Sequence, residues 1–167
     1  MASKSEGPER FTQAQHAGLE TRHLDQDRTL AAMHRLEAAL ESAGPGRETA
    51  WRDQVTSALA VLGESTTQEG ENASRPDSLL SDISRTQPPL RNRVRGVRIQ
   101  YQQLRDRITS LRRELEDPDD AGVDIADLRQ RLQWVLTALR HQRARESDLI
   151  YEAYYEAFRV DLDHDQP

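Results

Sequence analysis

The sequence predicts an all-α protein, an up-down-up-down antiparallel four-helix bundle, and three observations predict it. Apolar residues recur at alternating steps of four and three over several long stretches. Helix-ending signals separate those stretches, at Gly44-Pro45-Gly46, Pro88-Pro89 and Asp117-Pro118. No strand-like alternation or βαβ rhythm competes. The breaks favour chain reversal over the structural alternative, a long coiled-coil dimer.

The chain has 167 residues, enough for one domain with a real core. Hydrophobic residues make up 35% and charged ones 31%, with a mean hydropathy of −0.86. That polarity suits amphipathic helices with one solvated face, and the regular apolar seams argue against disorder. Residues 1–18 read as a polar, flexible lead-in, 19–160 as the bundle and 161–167 as a frayed acidic tail.

The first helix is expected from about Thr21 to Ser42, with Leu30, Met33, Leu36 and Leu40 as its apolar stripe and alanines favouring helix. Gly44-Pro45-Gly46 ends it. The second begins near Glu48 and carries the seam Trp51, Val55, Ala58, Leu62, Ser65, Glu69. Residues Glu69 to Asp77 read as a loop by composition, followed by a short helical turn over Ser78 to Ser84. Leu79, Leu80 and Ile83 of that turn would cap one end of the core. Pro88-Pro89 opens the third long helix, since proline is tolerated in a first turn. Its seam is the most regular: Leu90, Val94, Val97, Tyr101, Leu104, Ile108, Leu111, Leu115. A turn at Asp119 to Gly122 leads to the last helix, Ile125 to about Val160. Its seam reads Leu128, Leu132, Val135, Leu139, Gln142, Glu146, Leu149, Ala153.

Three of these seams turn polar at one level. Ser65 and Glu69 do so in the second helix, Tyr101 in the third, Gln142 and Glu146 in the last. In the first helix Asp27, one turn before Leu30, can share the inward face. A buried, unpaired carboxylate costs several kcal/mol, so such groups are tolerable only together.

Leu30 to Leu40 (LAAMHRLEAAL), Trp51-Arg52, the Glu-rich end of the second helix and Leu139 to Ala153 (LRHQRARESDLIYEA) together resemble the bacterial hemerythrin-like, or HHE cation-binding, family. The resemblance covers roughly residues 20 to 160. It implies a hemerythrin-like bundle in which histidines from four helices and bridging carboxylates hold two irons. Carried over, the histidine positions fall on Asp27, Ser65, Tyr101 and Gln142, while the acidic positions are kept as Glu69 and Glu146. Every histidine is thus replaced, and His141 lies about 100° round the helix from the ligand position. The resemblance therefore implies vestigial ligand positions, no catalytic or cofactor-binding residues and no resident cofactor. Ser65, Tyr101, Gln142 and the acids would form a hydrogen-bonded network with Tyr101 filling the metal volume. The alternative is a non-heme di-iron protein that binds or senses oxygen, nitric oxide or peroxide. A third reading is a ligand pocket lined by Asp27, Glu69, Tyr101, Gln142 and Glu146, and those acids could instead take a hard cation.

Other patterns carry less. His16, Glu20 and His23 share a helical face, but no second Glu-x-x-His exists to complete a ferritin-like site. Arginines such as Arg93, Arg98, Arg105 and Arg112 on the third long helix favour a salt-bridged solvated face over a nucleic-acid stripe, and the net charge of −6 points the same way. Lys4 is the only lysine. Tyr151, Tyr154, Tyr155 and Phe158 either pack the bundle's end, the favoured outcome, or form a protein-binding patch. The absence of cysteine excludes disulfides and thiolate ligands. No P-loop, dinucleotide fingerprint or nucleophile elbow is present. No apolar stretch approaches about 18 residues, and Met1 to Arg10 lacks the apolar run of a secretory signal. The expectation is therefore a cytoplasmic bacterial protein, not an enzyme, whose partner is another protein rather than a membrane or nucleic acid.

Overall fold

The computed structural model describes residues 10–42, 44–117 and 124–164. Among them the regular elements are all helical: α1 (Gln13–Glu41), α2 (Glu48–Ser74), α3 (Leu79–Thr86), a 3-10 turn at Pro88–Leu90, α4 (Arg91–Glu116), α5 (Ile125–Ala153) and α6 (Tyr155–His164). Among the described residues no helix is long and apolar enough to cross a membrane.

Local chemistry starts these helices. Thr12 and Gln15 form a reciprocal capping box at α1. The Ser78 side chain accepts from Ser81 N at the start of α3, and Asp124 accepts from Ala126 N and Asp127 N at α5. Pro88 and Pro89 sit in the 3-10 turn that feeds α4, where their missing N–H groups cost nothing.

Side-chain contacts fix the directions. Asp25 of α1 meets Asn72 of α2, while Ser42 meets Gln54, so the two run antiparallel. Arg52 of α2 reaches the end of α4 at Leu115, and Glu69 reaches Tyr101, again antiparallel. Along α5, Arg131 pairs with Glu114 and Glu152 with Arg93 of α4. Beside α1, α5 contributes Arg140 to Glu37 and Ser147 to Arg22.

The α4 seam lies inside throughout: Leu90, Val94, Val97, Leu104, Ile108, Leu111 and Leu115 are buried, and Tyr101 is partly so. The core nevertheless divides in two. One apolar cluster joins α1, α2, α4 and α5 around Leu36, Leu59, Leu62, Ile108 and Leu132. The other gathers Phe11, Leu79, Leu80, Ile83, Val97, Leu149 and Tyr154. As expected for the short cap, Leu79, Leu80 and Ile83 of α3 are buried.

Four expectations change. The first helix begins at Gln13, not Thr21, so the lead-in reaches no further than Thr12; only residues 1–9 of it lie outside the described residues. Gly18, which reads as a lead-in residue, is where α1 passes Leu79; an added Cβ would stand 3.0 Å from that side chain. α2 runs on to Ser74, so Glu69 is helical rather than the start of a loop. Gln68 bonds to Asn72, Ser74 Oγ to the Gly70 carbonyl, and Asn72 is held by Asp25, which together outweigh the loop-like composition. The last helix breaks at Tyr154, with no glycine or proline to announce it. There the Tyr154 hydroxyl is anchored to Asp82 Oδ2 of α3 at 2.6 Å. Leu30, expected in the apolar stripe, is exposed. The turn expected at Asp119 to Gly122 lies outside the described residues, as does the tail beyond His164.

Candidate functional site

Between the two apolar clusters lies a layer of buried polar side chains: Asp25, Gln26 and Thr29 from α1, Ser65, Thr66 and Glu69 from α2, Gln142 and Glu146 from α5. Tyr101 of α4 reaches into it. Its phenol stands 2.5 Å from Glu146 Oε2 and 3.2 Å from Glu69 Oε1. A phenol has one proton, and the shorter contact is the stronger claim on it. Thr29 Oγ1 donates to the other Glu69 oxygen at 2.6 Å. Gly70 faces the Tyr101 ring, so α2 presents only backbone where the ring lies.

The electrostatics follow from burial. Desolvation raises the Glu69 carboxyl above its ordinary range; the Thr29 hydrogen bond opposes this and the charge of Glu146 adds to it. Burial, with Glu146 and Glu69 alongside, pushes the Tyr101 phenol well above its ordinary 10, so it remains a donor. Arg22 is the nearest cation, with Nε 3.6 Å from Glu146 Oε1 and Nη2 donating to Ser147 Oγ at 2.9 Å. Asp25 accepts twice from Asn72 Nδ2, at 3.1 and 2.9 Å.

Ser65, Glu69, Tyr101, Gln142 and Glu146 therefore share one level, but they do not form one network. Ser65 Oγ turns back to the Leu62 carbonyl at 3.1 Å. Gln142 is 2% exposed, and neither atom of its amide has a hydrogen-bond partner among the described residues. Asp27 does not belong: it is exposed. Sequence reasoning missed Arg22, Asp25 and Thr29, which hold the inward positions of α1. Counting back from Leu36 in threes and fours gives Met33, Thr29, Asp25 or Gln26, and Arg22. Leu30 drew the register one residue off.

The hemerythrin resemblance implies two irons, and the donor set does not fit them. His16, His23, His34, His141 and His164, all the histidines of the chain, are exposed. The two acids at kept positions are bridged by a phenol. Among the described residues no group of three or more His, Cys, Asp or Glu is placed to hold a metal ion. A histidine–carboxylate di-iron centre would find no imidazole at this level among the described residues.

Outside the layer, arginines of α4 are tied to neighbouring groups. Arg93 pairs with Glu152, Arg98 Nη2 donates to Ser81 Oγ at 2.7 Å, Arg91 reaches the Ser84 carbonyl, and Arg107 lies 4.2 Å over the Trp134 ring. The aromatic cluster at the end of α5 splits. Tyr154 is buried against Phe11, whereas Tyr151 and Tyr155 are about half exposed and meet edge to face.

No family model matches this chain, and no curated protein or solved structure shows significant similarity to it.

Proposed function

We propose that this chain is a metal-free, hemerythrin-like up-down-up-down four-helix bundle that works without catalysis, as an interaction, structural or regulatory module. The observation that carries this reading is Tyr101. Its phenol bridges Glu69 and Glu146 at the centre of the layer, the volume that bridged irons occupy in the family the sequence resembles. Protein hydrogen bonds thus do the work that a metal would do, which is to make two buried carboxylates tolerable. The antiparallel neighbours α1–α2, α2–α4, α4–α5 and α5–α1 support the bundle topology. The half-exposed pair Tyr151 and Tyr155 supports a protein partner, because aromatic residues are enriched where proteins meet.

The test is metal analysis of protein purified from its native host, with the near-ultraviolet absorption recorded before and after oxidation. The expected result is no stoichiometric metal and no redox-dependent band. Iron near two per chain would overturn the reading and restore the di-iron alternative.

A further inference from the structure

The polar layer opens towards α1, α2 and α3 into a cavity of about 240 Å³. That is room for about eight waters' share of liquid volume, and less than a drug-sized ligand needs. One wall is apolar: Ala17 and Gly18 of α1, Leu79 and Leu80 of α3. The floor is Asp25, Glu69 and Glu146 with the Tyr101 phenol, and Arg22 stands at the side. Arg75 and Asp77 lie at the mouth, largely exposed and paired with each other at 3.1 Å.

Charge then decides the ligand class. With the mouth pair set aside, three carboxylates face Arg22 alone. Arg28, 3.9 Å from Asp25, is more than half exposed and screened by solvent. The Glu146 side chain is 5% exposed, yet among the described residues its Oε1 accepts no hydrogen bond. The nearest donor, Arg22 Nε at 3.6 Å, is buried and also makes none. Glu146, which lines the cavity, therefore keeps one carboxylate oxygen that is ion-paired with Arg22 but takes no hydrogen bond among the described residues.

We propose that this cavity binds a small aliphatic ammonium ion. Its N–H groups take Glu146 Oε1, the negative charge of Asp25 and Glu69 favours the cation, and its carbon chain lies along Ala17, Gly18, Leu79 and Leu80. An ammonium brings three donors to a floor of acceptors and an apolar body to an apolar wall. A bare divalent cation fits less well, since it seeks six or more oxygens at short range and gains nothing from the wall. The inference rests on the metal-free reading, because a resident ion would use the same oxygens.

The experiment is titration calorimetry with thermal unfolding, on protein whose metal content has been measured first. The probe is 1-aminobutane at neutral pH and low salt. Butanol matches its shape without charge, butyrate reverses the charge, and magnesium and calcium test for a hard-ion site. Saturable binding of one amine per chain with a raised Tm is expected, with butanol and butyrate silent. Glu146→Gln and, separately, Asp25→Asn should each weaken the amine by about tenfold or more. Equal binding of butanol, saturation by a metal ion alone, or no saturation by the amine in metal-free protein would overturn this inference and leave the metal-free reading standing. Iron near two per chain would overturn both.

Discussion

Gln142 and Glu146 stand one turn apart on the inner face of α5 and are almost equally buried, yet only the glutamate has found a hydrogen-bond partner. A buried amide with neither atom engaged costs free energy that an apolar side chain of similar size would not. Gln142→Leu should therefore stabilise the protein by about 1 kcal/mol. Urea denaturation would show a higher midpoint at an unchanged slope.

Tyr101→Phe should act in the opposite direction. It keeps the ring against Gly70 and removes the one donor that Glu69 and Glu146 share. Leaving buried carboxylate oxygens without it should cost about 1–3 kcal/mol, read by the same denaturation.

The raised Glu69 carboxyl gives stability a pH dependence of definite sign. In the window from its ordinary 4.5 up to its higher folded-state value, the native chain holds a proton that the unfolded chain has lost. This contribution therefore falls as pH rises through that window and is gone above it. Thermal unfolding followed from mildly acidic to neutral pH should show the decline, and Glu69→Gln should flatten it.

Two aspartates close in sequence should separate under mutation. Asp25→Ala strands the Asn72 amide and opens the end of the layer, at about 1–2 kcal/mol. Asp27→Ala removes an exposed side chain and should stay within about 0.5 kcal/mol. A larger loss at Asp27 than at Asp25 would contradict the register of α1.

Arg52 closes the end of α4 from α2. Its guanidinium donates to the carbonyls of Leu115 and Asp117 at 3.0 to 3.2 Å, groups that no helical N–H can reach. Arg52→Ala should fray that end, cost about 1–2 kcal/mol and speed amide exchange in the last turn of α4.

What the sequence disclosed, and what it hid, follows from how far each signal acts. The seams of α4 and α5 were legible because each repeats over many turns with a clear apolar majority, so Tyr101, Gln142 and Glu146 stood out as interruptions. α1 has fewer large apolar residues, and Leu30 competes with Thr29 for the inward reading; only packing against Glu69 resolves them. The extension of α2 past Glu69 rests on Asn72 meeting Asp25, a contact distant in sequence. The break at Tyr154 rests on Asp82 in another helix, which no local pattern contains. Arg22 reads as a surface arginine until α5 is placed beside it.

Phe11 packs its ring on Tyr154 and Phe158, and Arg10 comes within 3.4 Å of His164. The two described extremities of the chain thus emerge side by side. A tensile load applied across them would peel this ring cluster open in zipper fashion, contact by contact. The long helices would begin to slide only after α6 had let go.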